Sequence, residues 1–437
     1  MKSEIPKVLH KVCGLPMIQY VIWEAKRVSS EKPLVVVGYK AEMVTESLGE
    51  QAEYVVQKEQ LGTGHAIMEA QTVLQGFSGD LLVLYGDTPF IHSSTLEKMI
   101  TKHREEKAAV TVLTAEVEDP TGYGRILRSD KGEGAKIVEE KGASKEEKEI
   151  REVNTGLYCF CYPLLAEVLS ELIPKNNQGE YYLTDVVALL TAKGGKAIAV
   201  RCDHPQEILG PNDRKALAET ERLMRESILD RWMAEGVSII DPTVTYIGPL
   251  VKIGMDTRIY PGSFLEGETE IGENCIIGPY SQITDSKIGN SSTLRFTVAD
   301  QCQISDHVNV GPYTNLRPGV ILESGVKIGG FVEVKNTRIG KGSKAPHLSY
   351  IGDAQIGAEV NIGAGTITCN FDGKKKHRTL VEDGAFIGSN TNLVAPVSIG
   401  KNSFIGAGST ITKDVPDQAL AIARAPQVIK ENWPKKE

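Results

Sequence analysis

The second half of the chain carries a short hydrophobic repeat. From residue 253 onward, an aliphatic residue followed directly by glycine recurs, often at intervals of six residues or a multiple of six. This period is typical of hexapeptide β-helices, in which each hexapeptide forms a short strand and a corner, and three of them form one coil. We expect the aliphatic residues to point inward, and glycine, asparagine or aspartate to follow because the corner needs a positive φ. The repeat predicts a β-helix domain over residues 236–437, built on the pairs Ile253-Gly254, Ile271-Gly272, Ile277-Gly278, Ile288-Gly289, Val310-Gly311, Ile328-Gly329, Ile339-Gly340, Ile351-Gly352, Ile356-Gly357, Ile362-Gly363, Ile387-Gly388, Ile399-Gly400 and Ile405-Gly406.

The first half has a different texture, in which buried-type strands alternate with helical segments. Such alternation predicts an α/β domain with a doubly wound, mostly parallel sheet over residues 1–212. Apolar residues at i, i+3 and i+4 spacing then predict one long amphipathic helix over residues 213–235, joining the two domains. The elements predicted within the first domain are strands at 34–38, 81–87 and 108–113 and a helix at 182–192.

Composition restricts the kinds of partner. The 437 residues carry a formal net charge of −8, which gives no overall attraction to nucleic acid or anionic lipid. No apolar run is long enough to span a membrane, and the charged, proline-containing start differs from a signal peptide. The seven cysteines have neither zinc nor thioredoxin spacing, so we expect reduced thiols. We therefore expect a cytoplasmic protein that acts on small molecules, with no nucleic acid or membrane partner.

Specific motifs in both halves carry a family resemblance. The chain resembles the bacterial bifunctional N-acetylglucosamine-1-phosphate uridylyltransferases/glucosamine-1-phosphate acetyltransferases over essentially its whole length. The resemblance implies a nucleotidyltransferase-like first domain, a left-handed parallel β-helix and a homotrimer. The segments that carry it are Leu9–Lys11, Gln60–Ala66, Gly86–Pro89, Gly122–Ile126, Asn154–Gly156, Gly179–Asp185, Lys344–Tyr350 and Gly363–Gly373.

One departure from the family concerns the start of the chain. Members of this family begin with a strand and a glycine-rich loop that surrounds the nucleotide triphosphate, and Met1–Lys7 matches the end of that signature. We expect a central strand and the phosphate-binding amides of the loop to be absent from this sequence. Uridylyl transfer by the chain as written is therefore expected to be weak.

The first domain contains candidate residues for uridylyl transfer from UTP to N-acetylglucosamine 1-phosphate. Asp87 follows a predicted strand, where ligands sit in open α/β sheets, and is a natural Mg²⁺ ligand. The resemblance implies Asn212 as the second metal ligand and Lys7 as a phosphate contact. It also implies that the uracil is read by Gln57, Gly62 and Thr63, with Tyr85 and Gly86 beside them, and the sugar by Gly124, Glu139 and Asn154.

The β-helix contains candidate residues for transferring an acetyl group from acetyl-coenzyme A (acetyl-CoA) to glucosamine 1-phosphate. The attacking amine must lose a proton, which requires a nearby base, and His347 matches the proton acceptor of the family. Arg317 and Lys335 match its sugar-phosphate ligands, as do Tyr350 and Asn361. We further expect Glu333 to orient His347.

The acetyl donor is assigned to a second group of residues through the resemblance. One of them is Phe371, where a tyrosine is frequent in the family. The interval between Ile362 and Ile387 exceeds four hexapeptides by one residue and predicts a loop, whose basic run at 374–378 could attract the phosphates of coenzyme A. The acetyl-CoA group comprises Ala364, Asn370, Phe371, Ser389, Ala407 and Arg424.

Two other functions are compatible with the same patterns. The chain could be another sugar-1-phosphate nucleotidyltransferase whose β-helix serves only assembly, and then His347 would have no role as a base. It could also be a non-catalytic trimeric scaffold. Release of coenzyme A that depends on glucosamine 1-phosphate would distinguish the acetyltransferase from both.

Overall fold

The computed structural model describes residues 1–128, 135–174, 179–431 and 433. The chain divides into two units, Met1–Met224 and Arg225–Glu437, and the division falls inside the long helix Arg214–Ala234. A helix was predicted over residues 213–235, and Arg214–Ala234 is helical. Residues 432 and 434–437 of the predicted β-helix domain lie outside the described residues. All seven cysteines are free, as expected. No helix in the described ranges is long and apolar enough to cross a membrane.

The first unit alternates strands and helices, as predicted. The predicted strands at 34–38 and 108–113 and the helix at 182–192 are present with small shifts, whereas the strand predicted at 81–87 ends at Val83. The described strands of this unit are β1 Lys11–Val12, β2 Leu15–Pro16, β3 Leu34–Val37, β4 Glu53–Val56, β5 Asp80–Val83, β6 Val110–Glu116, β7 Arg125–Arg128, β8 Ala135–Val138, β9 Glu152–Cys161 and β10 Ala197–Arg201. The α-helices are α1 Met17–Val28, α2 Ala41–Leu48, α3 Thr63–Ala70, α4 Ser93–Glu105, α5 Lys145–Lys148, α6 Tyr162–Leu169, α7 Leu183–Ala192 and α8 Arg214–Ala234.

The strands of the first unit pair in mixed directions, where a mostly parallel sheet was expected. The pairs β3–β4 and β6–β10 are parallel, but β9 runs antiparallel to β5, β6 and β7. β9 is ten residues long and buried along most of its length, so it forms the centre of the larger sheet. Its residues Tyr158 and Phe160 pack with Leu165 and Val186 from the covering helices.

The second unit is a parallel β-helix, as the repeat predicted. Among the described residues, three parallel sheets of eleven, ten and nine short strands form its faces. The strands of the first face are Ser238–Ile239, Arg258–Ile259, Ile276–Ile277, Thr293–Leu294, Asn309–Val310, Lys327–Gly330, Lys344–His347, Asn361–Ile362, Phe386–Ile387, Phe404–Ile405 and Leu420–Ala421. Those of the second face are Tyr246–Ile247, Phe264–Glu266, Gln282–Thr284, Thr297–Asp300, Thr314–Leu316, Glu333–Lys335, Tyr350–Gly352, Ile367–Cys369, Asn392–Val394 and Thr410–Ile411. Those of the third face are Lys252–Ile253, Glu270–Ile271, Lys287–Ile288, Gln303–Ile304, Ile321–Leu322, Arg338–Ile339, Ala354–Ile356, Thr379–Val381 and Val397–Ile399.

The aliphatic residues of the repeat are buried in the β-helix core, as expected, but the reason given for the glycines was wrong at most positions. Of the repeat glycines, only Gly278 and Gly311 have a positive φ. Elsewhere the stacked coils come too close for a side chain. A Cβ on Gly340 would lie 2.5 Å from the carbonyl carbon of Gly357, and one on Gly363 would lie 2.5 Å from the amide nitrogen of Ser389. Glycine is therefore required mainly because one coil packs directly on the next.

Candidate active sites

In the first unit, Lys7 lies between the two predicted metal ligands. Its Nζ is 2.5 Å from Asp87 Oδ2 and 2.5 Å from Asn212 Oδ1. A carboxylate oxygen and an amide oxygen thus face the same cationic atom, and such oxygens are the ligands that Mg²⁺ prefers. In the described part of the chain, no group of three or more histidine, cysteine or acidic side chains could hold a metal ion. The Asp87 carboxylate and the Asn212 amide oxygen are donors that fit Mg²⁺, and any further ligands would have to come from substrate phosphates and water.

The predicted sugar-binding residues meet at the ends of strands β7, β8 and β9. A Cβ on Gly124 would lie 3.6 Å from both carboxylate oxygens of Glu139, and the amide of Asn154 donates to Gly124 O at 2.8 Å. Burial raises the pKa of Tyr85, and the negative charges of Asp87 and Glu139 raise it further. The phenol of Tyr85 therefore stays protonated, near enough to the predicted metal ligand Asp87 and the predicted sugar ligand Glu139 to be affected by both charges.

Gly156, which the sequence analysis did not single out, makes room for Tyr85. It has a φ of +80°, and a Cβ at this position would overlap the ring of Tyr85, lying 2.8 Å from both Cζ and Oη. Its amide also donates to Asn154 Oδ1 at 3.0 Å. The glycine of the Asn154–Gly156 motif thus positions two predicted substrate contacts at once.

The predicted uracil-binding residues form a separate group at the start of helix α3. Gln57 directly follows β4, and its Nε2 lies 3.1 Å from Gly62 O and 3.0 Å from His65 Nδ1. Thr63 Oγ1 accepts a hydrogen bond from the amide of Leu183 at 3.2 Å. Between described residues, no hydrogen bond joins this group to Asp87 or Glu139. The predicted uracil-binding group and the predicted metal and sugar ligands are therefore not hydrogen-bonded to each other.

In the second unit, the predicted phosphate ligands share the second face of the β-helix with a third cation. Arg317 Nη1 lies 3.0 Å from Glu333 Oε1. The pKa of Lys335 is lowered by contact with the Lys376 ammonium group and by the charge of Arg317. Arg317 N donates to Val334 O at 2.9 Å, so Arg317 and Lys335 follow paired residues of adjacent coils, and Lys376 is close enough to act on Lys335. Such neighbouring cations repel one another and would be stabilised by a bound dianion. Glu333 pairs with Arg317 here. We had expected Glu333 to orient His347, but among the described residues no hydrogen bond links the two.

Polar side chains continue this cluster along the second face. Asn370 Nδ2 donates to Asp353 Oδ2 at 2.6 Å and lies 3.4 Å from Tyr350 Oη. Asp353 also accepts from Asn336 Nδ2 at 2.7 Å. These bonds fix Tyr350 and Asn370 beside the cations, so a predicted acceptor ligand and a predicted acetyl-CoA ligand lie together.

His347 lies at the corner where the first face ends, in line with most of the predicted acetyl-CoA residues. It is exposed, and Tyr350 follows three positions later on the second face. The carbonyl of the next residue, Leu348, accepts from Gly365 N at 3.0 Å, which places Ala364 in the following coil of the same corner. Hydrogen bonds connect the later coils at this corner in the same way. Asn390 N donates to Ala364 O at 2.7 Å, Gly408 N donates to Ser389 O at 2.8 Å, and Arg424 Nη1 donates to Ala407 O at 2.6 Å.

Two predicted ligands lie away from these groups. Asn361 belongs to the first face, in register with Lys344. Phe371 lies at the far edge of the second face, where it is 61% exposed and forms a β-bridge with Lys376. The loop that contains both partners of the bridge is held by Asp372, whose pKa is lowered mainly by hydrogen bonds from the Lys375 and Lys374 amides and from His377. The basic run predicted to attract coenzyme A phosphates also brings Lys376 close to Lys335.

The same corner carries aromatic side chains in the coils before His347, of which three are exposed and one, Phe296, is half-buried. Tyr280, Phe296, Tyr313 and Phe331 all have a positive φ, and their successive ring centroids are 5.9, 5.2 and 5.2 Å apart. We call these four residues the aromatic ladder. Leu348 continues it at a φ of 47°, and Tyr280 and Phe331 are 68% and 63% exposed. Bulky residues rarely adopt this conformation, so the ladder combines backbone strain with an exposed apolar surface.

Comparison with known proteins identifies the family. The nucleotidyl transferase model matches residues 2–205, and the six-repeat bacterial transferase hexapeptide model matches residues 250–285 and 378–413. The chain is 50% identical over 433 residues to the bifunctional protein GlmU of Halalkalibacterium halodurans, which covers 99% of this chain and 95% of that protein. It is 52% identical to GlmU of a Geobacillus species (99% and 94%) and 51% identical to GlmU of Carboxydothermus hydrogenoformans (100% and 97%). The chain belongs to the bifunctional GlmU family.

Each half of the chain matches a transferase family model. The nucleotidyl transferase match contains the Lys7–Asp87 contact and the sugar-site group around Glu139. Three residues in these sites were not predictable from the sequence, because each acts through a contact between distant segments: Gly156, Asp353 and Lys376. A weak signal existed for two of them: Gly156 ends a family motif, and Lys376 lies in the predicted basic loop.

Proposed function

We propose that this GlmU family member catalyses two consecutive steps of UDP-N-acetylglucosamine synthesis. The β-helix transfers the acetyl group of acetyl-CoA to glucosamine 1-phosphate. The first unit then transfers a uridylyl group from UTP to N-acetylglucosamine 1-phosphate. The observation that carries the first reaction is the placement of Arg317 and Lys335 in adjacent coils of the second face, with Lys376 of the neighbouring loop close to Lys335, beside the corner that carries His347. All four substrates are small metabolites of the cytoplasm, where we expect the enzyme to act.

The chemistry of acetyl transfer assigns a role to each group of the β-helix. The three cations bind the phosphate dianion, Tyr350 and Asn361 contact the sugar, and Asn370 contacts the acetyl donor. His347 accepts a proton from the amine as the amine nitrogen forms a bond to the thioester carbonyl carbon. The C–S bond then breaks, and the sulfur leaves as the thiol of coenzyme A after taking up a proton. Ala364, Ser389, Ala407 and Arg424 form the track along which the coenzyme lies.

For uridylyl transfer, the residues of the first unit mainly position the substrates. Lys7 contacts a phosphate, Gln57, Gly62 and Thr63 bind the uracil beside Tyr85 and Gly86, and Gly124, Glu139 and Asn154 bind the sugar. Asp87 and Asn212 would hold Mg²⁺, which when bound neutralises charge on the phosphates. The sugar phosphate oxygen bonds to the α-phosphorus of UTP, and pyrophosphate leaves.

We further propose that the working form is a homotrimer with acetyl-transfer sites between neighbouring β-helices. Two features support this. The aromatic ladder leaves an apolar strip exposed on the single chain, and such strips are normally covered by a partner. The acetyl-CoA residues lie at two edges of the second face, with Ala364 and Ser389 at one and Phe371 at the other. A neighbouring copy would bring opposite edges together around one coenzyme.

Coenzyme A release in the presence of glucosamine 1-phosphate tests the acetyltransferase. We expect release only when both substrates are present, and a fall in kcat of about 10²–10⁴-fold in His347→Asn. The matched control is His307→Asn, because His307 is another exposed histidine at a β-helix corner. Absence of acetyl transfer would favour a β-helix that serves only assembly, and unchanged turnover in His347→Asn would remove the assigned base.

A further inference from the structure

The side-chain amide of Gln57 has both of its hydrogens engaged within the protein. Its Nε2 lies 3.1 Å from the carbonyl oxygen of Gly62 and 3.0 Å from Nδ1 of His65. An amide NH₂ group can donate two hydrogen bonds, and these two acceptors use both. Among the described residues, no hydrogen bond reaches Gln57 Oε1.

Simple donor and acceptor rules fix the orientation of this amide. A backbone carbonyl can only accept, so the contact with Gly62 O requires the nitrogen of Gln57 to face the loop. His65 Nδ1 must then accept the second hydrogen, which means that the ring proton is on Nε2. The ring agrees with this, because Nε2 points to Glu69 Oε1 at 3.4 Å. The His65 side chain is only 16% exposed and lies 6.0 Å, centroid to centroid, from the ring of Tyr181, so it is held in place.

From this arrangement we propose that His65 is a positioning residue that sets the nucleobase specificity of the first unit. His65 accepts a hydrogen bond from the NH₂ group of Gln57, so the amide can offer a nucleobase only its oxygen, Oε1, which is a hydrogen-bond acceptor. Uracil carries an N–H donor at N3 and matches that oxygen, whereas cytosine carries a lone pair at N3 and is repelled by it. The inference rests on the proposed function, in which Gln57 binds the uracil of UTP.

If the acceptor at His65 is lost, the amide of Gln57 is less constrained. One of its hydrogens is then unpaired, and rotation of the amide can present the NH₂ group to the base, which suits cytosine. The discrimination against CTP should then fall by roughly tenfold, as expected when a single hydrogen-bond match is lost. Thymine has the same N3 donor as uracil, so discrimination against dTTP should not change.

Two substitutions separate the acceptor from the packing of the ring. His65→Phe keeps an aromatic ring beside Tyr181 but removes the acceptor. His65→Asn removes the ring but places Oδ1 close to the position of Nδ1, where it can accept from Gln57. We would measure Kd for UTP, CTP and dTTP by calorimetry on the full chain with Mg²⁺, after checking by thermal melting that each variant is folded.

We expect the ratio of Kd(CTP) to Kd(UTP) to fall roughly tenfold in His65→Phe and to be kept in His65→Asn. An unchanged ratio in His65→Phe, or an equal loss in both variants, would overturn the inference. Equal binding of UTP and CTP by the unaltered chain would also overturn it, while leaving uridylyl transfer as proposed. Binding of none of the nucleotides would contradict the proposed uridylyl transfer itself, and the inference would fall with it.

Discussion

Replacing Gly156 by alanine should damage the proposed sugar site of the first unit through one defined contact. The new Cβ would overlap the ring of Tyr85 and would lie 2.8 Å from its Cζ and Oη. Tyr85 is largely buried, so its ring has little room to move away from the new methyl group. The φ of +80° at this position adds strain for any residue with a side chain.

The expected loss has two parts. A non-glycine residue at a left-handed position costs about 1–2 kcal/mol. Forcing an extra methyl group into a packed site costs about 1–3 kcal/mol more. The strand Glu152–Cys161 should therefore open more readily by about 2–5 kcal/mol in total, which can be measured by hydrogen exchange and mass spectrometry of its peptides.

A nearby glycine separates the two parts of this cost. Gly122 has a φ of +88°, but a Cβ there would meet no atom within 4 Å, so Gly122→Ala should show only the strain. Adding Tyr85→Leu to Gly156→Ala should recover part of the loss, because the overlapping ring atoms are gone. If Gly156→Ala and Gly122→Ala destabilise the unit equally, the proposed contact with Tyr85 is wrong.

Further outcomes can be predicted for the other features. Lys335→Met should raise KM for glucosamine 1-phosphate about tenfold or more, whereas Lys344→Met on the first face should not, as steady-state kinetics would reveal. Because Lys376 and Arg317 lower the pKa of Lys335 in the free enzyme, binding of the sugar phosphate should take up protons and should weaken as the pH rises through that lowered pKa. Lys376→Met should shift this weakening to higher pH. Titration calorimetry in buffers of different ionisation enthalpy tests both the proton uptake and the shift. Gly340→Ala should lower the melting temperature of the β-helix, since its Cβ would meet the next coil at 2.5 Å, whereas Gly248→Ala, with its nearest contact at 3.5 Å, should not. Removing divalent metal with EDTA should stop uridylyl transfer and leave acetyl transfer unchanged; equal loss of both would contradict the Asp87–Asn212 assignment.

The sequence was informative where structure depends on a local repeat. The β-helix could be predicted because every coil buries an aliphatic residue such as Ile277 or Ile387, so the core appears directly as a period. The strand–helix alternation of the first unit was also predictable, because it too follows from local patterns of apolar residues. The direction of β9 was not, because strand pairing is decided between segments far apart in the chain.

The candidate sites were predictable to a similar extent. Family motifs pointed to Asp87 and Asn212, which the structure brings to one Lys7 ammonium group. They could not reveal that Lys376 meets Lys335, since this depends on the path of a loop. The aromatic ladder also escaped notice, because its side chains recur at uneven intervals of 16 to 18 residues and carry no aliphatic-glycine mark.

The loop that contains Lys376 leaves the β-helix and returns without changing its register, since Ile362 still pairs with Ile387 in the next coil. Mutations in this excursion are therefore insulated from the hydrophobic stack, and natural selection can alter its length or charge at little cost in stability. Related enzymes could acquire a preference for a differently charged acceptor by exchanging this segment alone. The β-helix would then keep its structure while the substrate preference set by the loop changes.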